Sequence, residues 1–122
     1  MGYRLDHVQL AIPVGGEDLA DAFYVGLLGL LREDKPPVLA ARGGRWYRRD
    51  ALVVHLGVEA DFRPAKKAHP ALVVDDFDDL AARLSLAGYA IRPDDALADT
   101  RRFYVDDPHG NRLEVMEATS PR

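Results

Sequence analysis

Short runs of alternating apolar and polar residues come before longer runs with helical spacing, and this order occurs twice along the chain. Residues 5–12 alternate with a period of two, which is typical of a strand with two different faces. Residues 17–28 place apolar side chains at helical spacing, and Gly29 stands where a C-cap glycine is expected. The chain therefore begins with a predicted strand and an amphipathic helix.

The remainder of the first half predicts strands joined by turns. Short strands are expected at 30–33 and 38–42, followed by a hairpin turn at Gly43 and Gly44. The apolar run at 51–58 is the clearest strand of this half. A polar link from Asp61 to Lys67, containing Pro64, is the expected boundary between the halves.

The same order returns after this link. The second half predicts a strand at 69–74, a helix at 77–87 and strands at 89–92, 101–105 and 111–117. Each half therefore has the order β-α-β-β-β. We expect an α+β fold in which residues 1–122 form one domain built from two modules, at about 3–62 and 67–118.

The repeat aligns four potential metal ligands. His7 and His69 stand at the start of the first strand of each half, and His55 and Glu114 lie inside the last strand. A tandem repeat that keeps nitrogen and oxygen ligands at equivalent positions predicts two half-sites that combine into one metal site.

Composition and charge narrow the class of protein. The 122 residues suffice for one domain with a hydrophobic core, and a net charge of −4 argues against a general nucleic-acid binder. The chain has no cysteine, which excludes disulfides and thiolate chemistry. We find no signal-peptide pattern or membrane span and expect a cytoplasmic protein. The basic segment 42–49 is interpreted as a solvated hairpin, or alternatively as a patch for an anionic substrate.

Five stretches resemble a known family. They are Leu5-Asp6-His7-Val8, the run from Phe23 to Leu30, the strand ending at His55, His69-Pro70-Ala71-Leu72, and the run from Phe103 to Glu114 with its Asp-Pro-His-Gly-Asn turn. In these the chain resembles the vicinal oxygen chelate superfamily of glyoxalase, bleomycin-resistance, fosfomycin-resistance and extradiol dioxygenase proteins. The resemblance covers nearly the whole chain, and it is more specific for the fold than for the reaction.

The resemblance implies a fold and a metal site. Two βαβββ modules would form a cupped mixed sheet around one divalent metal ion, held by His7, His55, His69 and Glu114. Relatives suggest a homodimer with the site near or across its interface. The ligand set suits Zn, Ni, Mn, Fe or Co without naming one. His55 departs from the glyoxalase-like relatives, which usually have an acid at this position. Glu59 could replace that acid as a base, although a solvated position at the strand end is the stronger interpretation.

Further residues are candidates for contact with a substrate. Glu114 and Tyr104 are the candidate catalytic residues, and Gln9, Tyr104 and Trp46 the candidate substrate-binding residues. For Tyr104 the alternative is cross-strand packing, and for Gln9 a solvated position on the strand. For Trp46 a position on the surface of a hairpin is the stronger interpretation, as it is for three further candidates for the rim of the site, Tyr47, Arg101 and Arg102.

The expected function is that of a metal-dependent glyoxalase-like enzyme. A lyase, isomerase or group-transfer reaction on a small molecule that chelates the metal through two oxygens is favoured. One alternative is a metal-free protein that sequesters a drug, as bleomycin-resistance proteins do. The others are a fosfomycin-type thiol transferase, whose basic residues and potassium loop we do not find, and an extradiol dioxygenase, in which His55 would occupy an extra coordination position.

Overall fold

The computed structural model describes residues 2–119, and the chain divides into two compact units, Met1–Pro64 and Ala65–Arg122. The division falls within the polar link between Asp61 and Lys67. Each unit contains one four-stranded mixed sheet. No helix in the described range is long and apolar enough to cross a membrane.

Unit 1 combines four strands with two helices. In chain order these are β1 (Val8–Ile12), α1 (Glu17–Tyr24), β2 (Leu31–Glu33), α2 (Pro37–Ala40), β3 (Arg45–Arg49) and β4 (Leu52–Val58). The sheet order is β1-β4-β3-β2. Strand β1 runs parallel to β4, and the other neighbours are antiparallel.

Alternation along the strands of unit 1 separates its core from its polar face. Leu10 and Leu56 are buried cross-strand neighbours. Tyr47, on the same face of the sheet, is fully buried, stacks on Tyr24 of α1 at 5.4 Å and donates a hydrogen bond to Oδ1 of Asp21 at 2.6 Å. Helix α1 therefore covers this face of the sheet, and the other face is left to the polar side chains.

Unit 2 repeats this plan with one helix. Its elements are β5 (Ala71–Val74), α3 (Phe77–Leu86), β6 (Arg92–Asp94), β7 (Arg102–Asp106) and β8 (Arg112–Glu117), with sheet order β5-β8-β7-β6. Phe77 of α3 packs against Phe103 of β7 with ring centroids 5.2 Å apart, and Leu80 and Leu84 are buried on the same helix. The helix again covers one face of the sheet.

The predicted α+β fold with repeated β-α-β-β-β order is confirmed, with corrections to four local elements. Helix α1 ends at Tyr24, four residues before the predicted end at Leu28. Residues 38–42 do not form a strand, because Pro37 starts a short helix at a position where its missing N–H is harmless. Gly43 and Gly44 therefore join α2 to β3, and the hairpin turn lies at Asp50, where φ is 53°. Strand β6 comes later than the predicted 89–92.

Candidate functional site

Three rings of unit 1 stack on the polar face of its sheet. His55 of β4 lies between Trp46 of β3 and His7, which directly precedes β1. The ring centroids are 4.2 Å apart for Trp46 and His55, and 4.1 Å apart for His7 and His55. His55 is consequently only 8% exposed. The two candidate ligands of this half are thus in direct contact.

His55 is held as a neutral imidazole. Burial lowers its pKa, and the neighbouring His7 lowers it further. Among residues 2–119 its ring makes no hydrogen bond, so packing alone orients it. A neutral imidazole keeps a nitrogen lone pair, which is the form that binds a metal.

The tautomer of His7 follows from its neighbour. Nδ1 of His7 lies 2.9 Å from Oδ2 of Asp6, and this hydrogen bond lowers the pKa of Asp6. An ionised carboxylate only accepts hydrogen bonds, so the proton belongs on Nδ1 of His7. Nε2 of His7 is then left with its lone pair, in the arrangement by which carboxylates orient metal-binding histidines.

His69 and Glu114 form the equivalent pair of unit 2. Nε2 of His69, two residues before β5, lies 3.0 Å from Oε1 of Glu114 on β8. Nδ1 of His69 lies 2.8 Å from the carbonyl oxygen of Lys67. Because a carbonyl only accepts, Nδ1 carries the hydrogen, and a neutral His69 would turn a lone pair toward the carboxylate. The contact is favourable only with a second proton or a cation between the two atoms.

Glu114 is buried but remains ionised. Its side chain is 7% exposed, and burial by itself raises its pKa. The hydrogen bonds from His69 and from Nη1 of Arg102, 3.0 Å from Oε2, outweigh burial and lower the pKa overall. A buried anion is thus available at neutral pH.

The 3.0 Å spacing of the His69 and Glu114 atoms is that of a hydrogen bond, and it would also suit a metal ion. With metal bonds of about 2.1 Å, a separation of 3.0 Å corresponds to an angle of about 90° at the ion. This is the angle between adjacent ligands of an octahedral ion, whereas a tetrahedral ion would need about 3.4 Å. The described chain, 2–119, holds no ready-made group of three or more His, Asp or Glu side chains around such a point.

The predicted substrate-binding residues border these pairs. Tyr104 of β7 lies edge-on to His69 at 5.5 Å, and Trp46 stacks on His55. Gln9 is the register neighbour of His55, and its side chain lies over Gly57, where an added Cβ would be 2.8 Å from Nε2 of Gln9. The glycine thus leaves room for the amide beside the histidines.

Three other sequence candidates lie away from the donor pairs. Tyr47 was a candidate for the rim, but strand alternation turns it into the core, opposite to Trp46. Arg101 bonds Asp78 and lies over Phe77 on the helix side. Glu59 is exposed, just beyond the end of β4.

Sequence reasoning missed the residues that orient the ligands. Asp6 was quoted only as part of a family motif, and the bond from Arg102 to Glu114 was not foreseen. Period-two spacing would have placed Arg102 and Tyr104 on one face, but only the strand register places Glu114 opposite Tyr104.

Comparison with known proteins identifies the family. The model of the Glyoxalase/Bleomycin resistance protein/Dioxygenase superfamily matches residues 4–115. The chain belongs to this superfamily. A solved structure from Bacillus anthracis, assigned to the glyoxalase family, is 44% identical, with 98% of each chain covered and a TM-score of 0.92.

More distant members of the superfamily share the fold. A glyoxalase/dioxygenase from Nostoc punctiforme is 21% identical over 96% of this chain and 92% of its own, with a TM-score of 0.75. The fosfomycin resistance protein FosX from Listeria monocytogenes is 15% identical over 98% of this chain and 96% of its own, with a TM-score of 0.76. No curated protein matches the chain. At these identities the two structures support the fold alone.

Proposed function

We propose that the protein is a metal-dependent enzyme that acts on a small molecule offering two oxygens to the ion. A lyase, isomerase or group-transfer reaction is favoured. The observation that carries the proposal is the 3.0 Å approach of Nε2 of His69 to the ionised Glu114, while Nδ1 of His69 is committed to a carbonyl. A second proton on His69 would satisfy this contact, and so would a cation between the two atoms; members of the superfamily typically use a divalent metal, which supports the cation.

The proposed ligands are His7, His55, His69 and Glu114, acting on one ion. When bound, the ion would supply Lewis-acid stabilisation of negative charge on a substrate oxygen. Asp6 and the Lys67 carbonyl fix the tautomers of His7 and His69, so neither histidine would have to move its hydrogen when a metal binds. Arg102 holds Glu114 in place through Oε2.

Tyr104, Gln9 and Trp46 are proposed to contact the substrate. The Tyr104 hydroxyl would donate a hydrogen bond to a substrate oxygen, or move a proton there, because its ring borders His69. Gln9 would bind a polar group through its amide, and Trp46 would contribute an apolar wall beside His55. Glu114 is proposed as both a ligand and a catalytic residue. A homodimer is proposed as the working form.

The first test is the metal content of the purified, tag-free protein, measured by plasma mass spectrometry together with its mass in solution. We expect about one divalent transition metal per chain, in a dimer. His69→Ala should lose this metal, whereas His109→Ala, which removes an imidazole from the 107–110 turn, should keep it. Circular dichroism checks that both variants fold.

Two results would contradict the proposal. Equal metal content in His69→Ala and the parent protein would remove His69 from the site. A protein without metal that takes up no Zn²⁺, Ni²⁺, Mn²⁺ or Fe²⁺ would favour the drug-sequestering alternative, and binding screens would then replace turnover assays.

A further inference from the structure

Two guanidinium groups lie over the ring of Tyr104. The Cζ atom of Arg102 is 5.7 Å from the ring centroid and that of Arg112 is 5.6 Å from it. Both arginines are partly buried, and within residues 2–119 the Nε of each has no hydrogen-bond partner. Stacking on an aromatic ring fixes the plane of a guanidinium and prepares it for oxyanions.

The two arginines differ in their other partners. Arg102 pairs with Glu114 at 3.0 Å and with Asp94 at 3.3 Å. Arg112 has no carboxylate within 4.0 Å among residues 65–119. Its register neighbour across the sheet is Asp106, which would be the expected counterion.

Asp106 is already committed to other cations. Its two oxygens lie 2.9 Å from Nη2 of Arg92 and 3.7 Å from Nζ of Lys66. The cluster around Tyr104 therefore contains one more cation than carboxylates; its members are Lys66, Arg92, Arg102 and Arg112 against Asp94, Asp106 and Glu114. The charge left over is that of Arg112, a partly buried guanidinium whose desolvation no ion pair within residues 65–119 offsets.

Arg112 is also well placed relative to the proposed metal ligand. It lies two residues before Glu114 on β8, so the two side chains project from the same face of the sheet. Two residues along a strand span about 6.6 Å, which is within the length of a small organic molecule. A ligand at Glu114 can therefore present a second group to Arg112.

We propose that Arg112, supported by the Tyr104 ring, is the anion-binding residue of the substrate site. The substrate would then carry an oxyanion (a carboxylate, phosphate or phosphonate) in addition to the two oxygens that chelate the ion. This substrate class rests on the proposed function, whereas the anion site itself uses only residues of unit 2. No metal is needed to detect it.

The test is a titration of the metal-free protein, prepared with EDTA and followed by ¹H–¹⁵N NMR. Methylphosphonate is the probe, and sodium chloride keeps the ionic strength constant. We expect a saturable shift of the Arg112 Nε–H signal, assigned by its absence in Arg112→Lys. Arg112→Met should weaken binding by about tenfold or more, as expected for the loss of one charged hydrogen-bond partner, and Arg112→Lys should weaken it less.

Arg83→Met is the matched control. It removes the same charge from the same unit, but from a guanidinium on α3 that is committed to Asp76 and leaves Asp106 untouched, so binding should change by less than about twofold. A shift that does not saturate, or an equal loss in Arg83→Met and Arg112→Met, would overturn the anion site. Metal content is measured separately, so a protein that binds methylphosphonate but no metal would refute the proposed enzyme and leave the anion site standing.

Discussion

Nε2 of His69 lies 3.0 Å from Oε1 of Glu114, while Nδ1 of the same ring is fixed by the Lys67 carbonyl at 2.8 Å. His7 repeats one part of this arrangement in the other unit, where Nδ1 is fixed by Asp6. In both halves a hydrogen-bond acceptor fixes Nδ1, so the duplication preserves the nitrogen that carries the hydrogen as well as the position of the histidine.

The Asp6 side chain should strengthen metal binding without touching the metal. In Asp6→Ala the proton of His7 is free to move to Nε2, so we expect metal affinity to fall by about tenfold or more. A chelator competition with Zn²⁺ measures this. Asp61→Ala, which removes an exposed carboxylate from the same unit, should leave the affinity unchanged, and equal affinities in all three proteins would contradict the role of Asp6.

Tyr104→Phe should lower turnover by about tenfold or more on the identified substrate, because the missing hydroxyl can no longer stabilise or move charge on a substrate oxygen. The metal content and the melting temperature should stay at parental values. Steady-state kinetics with a metal assay on the same sample test this. An unchanged kcat would return Tyr104 to a packing role against its two arginines.

The buried hydrogen bond of Tyr47 should matter for stability alone. Tyr47→Phe leaves Asp21 without its 2.6 Å donor, although Arg45 still bonds that carboxylate. We expect a loss of about 1–2 kcal/mol in the free energy of unfolding, measured by urea denaturation. Tyr3→Phe, at a fully exposed ring, is the control. A larger effect on metal content than on stability would contradict the placement of Tyr47 in the core.

Glu17 should make stability depend on pH. A hydrogen bond from the backbone N–H of Gly44 lowers the Glu17 pKa below its ordinary 4.5. Because the folded state binds the proton less well than the unfolded state, this carboxylate stabilises the fold above pH 4.5, and the contribution disappears as pH falls through the lowered pKa.

Glu17→Gln should therefore lower the melting temperature at neutral pH, by an amount corresponding to about 1 kcal/mol. The difference from the parent protein should shrink as the pH falls below 4.5 and through the lowered pKa of Glu17. Asp18→Asn, at the neighbouring exposed carboxylate, is the control for a general charge effect. A difference that persists in acid would mean that the substitution at Glu17 destabilises through packing rather than through the lost charge.

Much of the fold could be predicted because its strands have two different faces. Leu10 and Ile12 alternate with more polar residues, and the apolar residues around Phe23 recur at helical spacing. In both segments the period alone shows which side chains face the core. The segment after Pro37 could not be assigned, since four residues are too few to show a period and a proline is compatible with both a strand edge and a helix start.

The candidate site was predictable only in part, for a related reason. His7, His55, His69 and Glu114 could be found because the repeat aligns them. The partners that set their chemistry come from different elements. Lys67 acts through its backbone, and the Arg102 bond to Glu114 depends on the register of β7 against β8. One-residue shifts of register reverse the faces, so such contacts are not encoded in local patterns.

The Arg102 bond to Oε2 limits the way in which Glu114 can act as a ligand. With one oxygen committed to the guanidinium, the carboxylate can offer an ion only Oε1, and so binds in a monodentate way. Calcium favours six to eight oxygen ligands, often including a bidentate carboxylate, whereas imidazole nitrogens suit transition metals. Arg102 thereby biases the proposed site against calcium, and no ligand has to change.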